Sequence, residues 1–253
     1  MPNDCFALDG RVALVTGAGK GLGRAIALAL ARAGADIVAV SRTQSDLDEV
    51  TTACRDLGRS ATSIVADVDA EDQVQAMAAR ALGDHGRIDI LVNNAGIEGV
   101  ASTLEVESEA WDQVMAVNLR GPMLCCKHIG PHMLERRSGK VINVASVLAS
   151  KAQRKMGPYA ASKAGLVQYT KVLALEWLPY DVQVNALCPG YFVTPMNRDF
   201  LESPAGRAFL ERLPAKRAAR VEEIEGAAVF LASDATSYMT GTTVVIDGGH
   251  SLR

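Results

Sequence analysis

Seven short runs rich in β-branched residues recur along the 253-residue chain: VALVT at 12 to 16, DIVAV at 36 to 40, TSIVA at 62 to 66, IDILV at 88 to 92, KVINVA at 140 to 145, VQVNAL at 182 to 187 and TVVID at 243 to 247. Longer Ala- and Leu-rich stretches separate them, and this alternation constrains the fold more than any other feature. Runs that are apolar at successive positions, not only at alternate ones, imply strands covered on both faces. The intervening RAIALALARAG and SDLDEVTTACRDLG carry helical apolar spacing and close on glycine. Parallel strands need a crossover, and a helix is the usual one. The expected fold is therefore α/β, a doubly wound parallel sheet of about seven strands with helices on both faces. No solenoid repeat, low-complexity tract or Pro/Ser-rich linker divides the chain, so 1–253 reads as one domain.

Composition narrows the function classes. Hydrophobic residues make up 49% and charged residues 22%, enough for a sizeable core. A net charge of -3 supplies no basic field for a polyanion, so no nucleic-acid partner is expected. The start, MPNDCFALDG, lacks a basic segment followed by an apolar run, and no stretch approaches the roughly 18 apolar residues of a membrane span. The expectation is a cytoplasmic protein without a membrane partner. Five cysteines with no CxxC pair fit reduced thiols, and Cys125 and Cys126 read as small buried hydrophobes on a helix.

Three stretches carry chemistry. The first run ends in Thr16-Gly17-Ala18-Gly19-Lys20-Gly21-Leu22-Gly23 and enters a helix. Glycines allow a tight turn and close backbone approach, and the helix N-terminus offers unpaired N–H groups to a pyrophosphate. Tyr159 and Lys163 are four apart on an expected helix and so share a face. A free phenol has a pKa near ~10, and a cation beside it such as Lys163 would lower it toward the range of a useful base. Ser146, at the end of the fifth run, is placed to donate a hydrogen bond to a carbonyl oxygen as charge develops there. No metal is expected: His128 and His132 have the i, i+4 spacing of a ligand pair, but no glutamate follows His128 and Pro131 interrupts them. No G-x-S-x-G elbow is present to make Ser146 a hydrolase nucleophile.

Together TGAGKGLG, the Asn93-Asn94-Ala95-Gly96 stretch after the fourth run, Ser146, Tyr159-Ala160-Ala161-Ser162-Lys163 and Pro189-Gly190 after the sixth resemble, in order and in strand context, the short-chain dehydrogenase/reductase family. The resemblance covers essentially the whole chain. It implies a Rossmann-type sheet, hydride transfer between a nicotinamide cofactor and a carbonyl/alcohol pair, and catalytic roles for Ser146, Tyr159 and Lys163. It adds Asn118, in VNLRG, as support for a proton-relay water beside the lysine. It also implies cofactor contacts from Gly17, Lys20, Gly21, Leu22, Gly23, Ser41, Arg42, Val68, Ala95, Gly96, Tyr159, Lys163, Pro189, Gly190 and Thr194. Asp67 matches the position that meets the adenine, and Asn94 the one beside its ribose.

Cofactor choice turns on the end of the second run, Val40-Ser41-Arg42-Thr43. An acidic residue there would accept from a ribose 2′-OH and repel a 2′-phosphate. Ser41 removes that repulsion while Arg42 and Lys20 supply cations, so NADP(H) is the expected cofactor, with NAD(H) the alternative. The expected substrate is a small ketone, keto sugar or polyol. Two alternatives stand beside it: a 3-oxoacyl carrier-protein reductase, for which Arg137 matches one docking position while the other falls on Tyr180, and a cofactor-binding sensor or scaffold without turnover. The long irregular region from about 188 to 220 reads as a substrate lid, with Phe192, Met196, Phe200 and Phe209 as apolar walls. Glu98, Gln153 and Arg198 are candidates to meet polar substrate groups. The resemblance implies a homotetramer, with a dimer face on helices around 108 to 137 and 159 to 178 where Val114, Met115, Leu124, Leu166, Val167 and Leu173 recur.

Overall fold

A computed structural model describes residues 5–252. Its strands are β1 (Val12–Thr16), β2 (Asp36–Ser41), β3 (Ala61–Val65), β4 (Ile90–Asn93), β5 (Gly139–Val144), β6 (Val182–Pro189) and β7 (Thr243–Ile246), paired in parallel in the order β3-β2-β1-β4-β5-β6-β7. Each of the seven apolar runs is a strand. Why the runs are apolar throughout is visible in β1: Ala13 and Val15 enter the core on one face, while Val12 and Leu14 enter the core on the other. The edge strand β7 is partly exposed along its length.

Helices α1 (Gly21–Arg32), α2 (Gln44–Asp56) and α9 (Glu225–Ala232) cover one face; Leu30, Val50 and Leu231 join its core. Against the other lie α3 (Glu71–His85), α4 (Ser108–Met115), α5 (Gly121–Arg136) and α6 (Gly157–Trp177), with Ile129 and Leu173 among its buried residues. Fully burying such a side chain is worth about 1.5–3 kcal/mol, so two continuous cores hold the sheet between them. Cys125 and Cys126 are buried in α5, and burial pushes both thiols up, away from the reactive thiolate.

Three expectations need correction. The stretch around 108 to 137 is not one helix: a π-helical turn, Ala116–Arg120, joins α4 to α5. The region after Pro189 is less irregular than its prolines imply, because it folds into α7 (Arg198–Glu202) and α8 (Pro204–Leu210), each too short to carry helical periodicity. Val114, Leu124, Leu166 and Leu173 face the core, whereas the outward apolar residues of α6 are Val172 and Leu175. Periodicity identified amphipathic helices there but not which side was free. Among the described residues no helix is long and apolar enough to cross a membrane.

Candidate active site

The chain order reverses between β1, which leads outward through β2 to β3, and β4, which leads the other way to β7. Such a switch point opens a crevice at the carboxyl ends of the strands. A cavity of about 490 Å³ lies there. Every residue expected to be catalytic or to contact the cofactor lines it except Asn118: Gly17, Lys20, Gly21, Leu22 and Gly23 from the first turn, Ser41 and Arg42 after β2, Asp67 and Val68 after β3, Asn94, Ala95 and Gly96 after β4, Ser146 after β5, Tyr159 and Lys163 on α6, and Pro189, Gly190 and Thr194 from β6 onward.

At the first turn Gly17 has φ of 65°, a left-handed conformation that disfavours a side chain. A Cβ on Gly23 would run into the carbonyl oxygen of Gly17, so the turn closes only with glycine. The Thr16 hydroxyl accepts from the Asn94 and Ala95 backbone N–H groups at 3.0 and 3.1 Å. The Asn94 amide nitrogen donates to the Thr16 and Gly17 carbonyls at 3.0 and 3.3 Å. Sequence reasoning set Asn94 beside a ribose; its amide nitrogen is committed to tying β4 to the turn. This cradle of backbone and glycine, ahead of the α1 N-terminus, fits a pyrophosphate.

At the outer end the two cations are already paired. Lys20 Nζ lies 3.0 Å from Asp46 Oδ2 and Arg42 Nη1 lies 3.6 Å from Asp67 Oδ2. Both cations are about two-thirds exposed, at 63% and 64%. Asp46 sits in the first turn of α2 and was missed, because its partner Lys20 is distant in sequence. Surface pairs of this kind are worth about 0–1 kcal/mol, so a phosphate could displace either carboxylate. Ser41 keeps its hydroxyl turned to Thr43, within 3.3 Å of its backbone N–H and carbonyl, and no acid stands in its place.

At the inner end Ser146 and Lys163 are buried and Tyr159 is partly buried. Ser146 caps a short 3₁₀ turn, Val147–Ala149, accepting from the Leu148 N–H at 3.1 Å, which fixes its hydroxyl within hydrogen-bonding reach of the Tyr159 phenol. Lys163 donates to the Val144 carbonyl at 2.8 Å, with its Nζ 5.8 Å from the centroid of the Tyr159 ring. Burial pushes the Tyr159 phenol up to about 12, opposed by the Ser146 hydrogen bond, and pushes the Lys163 ammonium down to about 8. Desolvation is the largest influence on the Tyr159 phenol in the chain alone.

Asn118 lies behind this end, fully buried in the π-helical turn. Its side chain accepts from the Ile97 N–H at 2.8 Å and donates to the Ile97 carbonyl at 2.9 Å and the Ser162 hydroxyl at 3.1 Å. Its side chain pins the loop after β4. A second buried relay was not foreseen. Asn93 donates to Asn143 at 2.9 Å, and Asn143 to Thr170 at 2.9 Å, tying β4, β5 and α6 together beneath the site. Isolated asparagines in apolar runs were its only signal.

Of the candidate substrate contacts, Glu98, Phe192 and Met196 line the cavity, whereas Gln153, Arg198, Phe200 and Phe209 do not. Gln153 acts through Tyr191, whose phenol donates to it at 2.7 Å. Phe209 packs edge-on against Tyr191, ring centroids 4.7 Å apart.

A glycine turn for a pyrophosphate leading to a Ser-Tyr-Lys cluster defines a dinucleotide-dependent oxidoreductase. The chain belongs to the short-chain dehydrogenase/reductase family. A family profile described as enoyl-(acyl carrier protein) reductase matches residues 17–251. D-threitol dehydrogenase of Mycolicibacterium smegmatis is 40% identical over 98% of this chain and 95% of its own length. Gluconate 5-dehydrogenase of Gluconobacter oxydans is 38% identical over 97% and 96%. The solved structure of a gluconate 5-dehydrogenase from Burkholderia cenocepacia, in complex with NADP and tartrate, superposes with a TM-score of 0.95 at 40% identity, covering 99% of this chain and 98% of that one. The protein is an NAD(P)-dependent oxidoreductase acting on CH–OH groups.

Proposed function

We propose that the protein interconverts a small ketone, keto sugar or polyol with its oxidised or reduced partner, using NADP(H), with Tyr159 moving the proton. One observation carries the reading: a single cavity joins Ser146, Tyr159 and Lys163 to an outer rim where Arg42 and Lys20 flank Ser41 in place of an acid. The bound nicotinamide supplies or takes up the hydride. In reduction, Tyr159 Oη gives its proton to the carbonyl oxygen while the Ser146 hydroxyl donates a hydrogen bond to it. In oxidation, the phenolate must form, and the Lys163 cation on the next helical turn stabilises it. The main chain at Asn118 would hold a water that refills the proton through Lys163.

At the rim, a 2′-phosphate would take Arg42 from Asp67 and Lys20 from Asp46. The names of the relatives support the substrate class, since threitol and gluconate are polyhydroxy compounds. Nothing at Arg137 favours a carrier protein: its guanidinium donates to the Pro179 carbonyl at 2.6 Å and stacks on the Tyr180 ring. The segment from 188 to 220 acts as a lid, with Phe192 and Met196 as its inner wall. A homotetramer completes the reading, its dimer face on the shallow apolar groove lined by Met115, Leu119, Met123 and Tyr169. Steady-state kcat/KM for a panel of alcohols and carbonyls with NADPH and NADH tests the proposal. Turnover with no member of the panel would overturn it, and preference for NADH would overturn the cofactor assignment alone.

A further inference from the structure

The inner half of the cavity has an unbalanced charge. Beyond the cofactor-facing rim, its wall is Ser146, Tyr159, Tyr191, Glu98 and the apolar Leu148, Met156, Phe192 and Met196. Lys163 is the one cation of the lining at this end, and its ammonium is buried below Tyr159 and bound to the Val144 carbonyl at 2.8 Å. The other cations of the neighbouring loops, Lys151, Arg154 and Arg198, lie outside the lining. No guanidinium or ammonium of the described residues therefore faces the place where the end of a substrate distal to the reacting carbon would rest.

Glu98 does face it. It stands two residues past Gly96, open to solvent on one side, and its charge is felt by both Tyr159 and Tyr191 across the cavity. Beyond the donors Ser146 and Tyr159 at the reacting carbon, the neighbouring Tyr191 is an acceptor as well. The Tyr191 hydroxyl spends its proton on Gln153, leaving its lone pairs to accept from a ligand. An acceptor-rich wall with one carboxylate and no free cation suits a donor-rich, uncharged ligand and repels an anion.

Resting on the oxidoreductase reading above, we infer that the substrate is a neutral polyhydroxy alcohol or its ketone, and that Glu98 selects it by binding hydroxyls and rejecting sugar carboxylates. Glu98 is a specificity residue and not a proton carrier, because Tyr159 already occupies that role. Partial burial raises its carboxyl above the usual range, yet a carboxylate substrate would gain no partner even where Glu98 is protonated.

The test compares threitol and xylitol with gluconate on the full chain saturated with NADP+, by calorimetry and by kcat/KM. The parent should favour the neutral polyols by at least about tenfold, and Glu98→Gln should narrow that ratio by about tenfold, mostly through KM, as removal of a like charge requires. Glu98→Lys should narrow it further. Gluconate bound or oxidised as well as the neutral polyols, a ratio unmoved by Glu98→Gln, or binding of neither class would overturn the inference. Preferential binding of neutral polyols without turnover would instead sustain the charge selection and sink the catalytic reading.

Discussion

The two ends of the cavity hold their charged groups by opposite means. At the inner end Lys163 is buried and Tyr159 partly so, each fixed by hydrogen bonds to backbone or to Ser146, and their proton affinities are shifted by desolvation. At the outer end Lys20 and Arg42 are exposed and held by surface ion pairs with Asp46 and Asp67. Buried groups gain catalytic leverage because water cannot screen them; exposed ones gain exchangeability, since a pair worth about 0–1 kcal/mol yields readily to a phosphate. If the inner end does the chemistry and the outer end chooses the cofactor, as proposed above, substitutions at the two ends should fail in different ways.

The largest difference is expected from Tyr159→Phe, which removes the proton carrier and leaves the cradle intact. Turnover should fall by at least ~10²-fold with cofactor affinity little changed. Single-turnover rates and cofactor titration on the same preparation check it, and near-normal turnover would end the distinction. At the rim, Arg42→Ala should instead weaken NADPH by about one to two decades, given about 1.5–3 kcal/mol for a charge-assisted contact, and leave NADH almost untouched. Ser41→Asp should turn the preference toward NADH by setting a carboxylate against the phosphate, a change read in the ratio of the two kcat/KM values.

A smaller effect concerns pH. Because the folded chain holds the Tyr159 phenol at about 12, it stays protonated throughout the working range, and the phenolate fraction climbs with pH. Alcohol oxidation should therefore rise between about pH 6 and 9, by up to about tenfold per unit, while carbonyl reduction gains nothing. Parallel profiles in the two directions would contradict the assignment of Tyr159. The smallest effect is expected from Asp46→Asn: freeing Lys20 of its carboxylate should tighten NADPH by at most about fivefold, seen as a lower KM for NADPH but not NADH.

Much of this molecule is legible from sequence because sheet burial writes itself as apolar runs. Strand β1 is readable as VALVT since its alternate residues are covered on opposite faces, and the glycine turn is readable since Gly17 and Gly23 admit no other residue there. What could not be read depends on contacts between segments distant in sequence. Arg42 meets Asp67 across the neighbouring strand end, and Asn93 meets Asn143 across the β4–β5 ladder, pairings that local pattern does not encode. The desolvation of Tyr159 could not be read for a related reason. Spacing shows that Lys163 is near, but only the packed wall reveals how much water has been lost.

The π-helical turn at Ala116–Arg120 makes residue count a local constraint beside the identity of Asn118. An α-helix advances by about 100° per residue, so a segment that fits one extra residue into a turn resets the phase between the helices on its two sides. Here α5 is anchored in the core by Leu124 and Ile129, while α4 reaches Asp69 through Gln113 at 2.7 Å and sets Val114 against Gly99. Deleting any one of the five residues would swing α4 about its axis by roughly that angle, parting both contacts at once and turning Asn118 away from Ile97. The chain is therefore expected to accept no change in the length of this stretch, whatever substitutions its exposed positions allow.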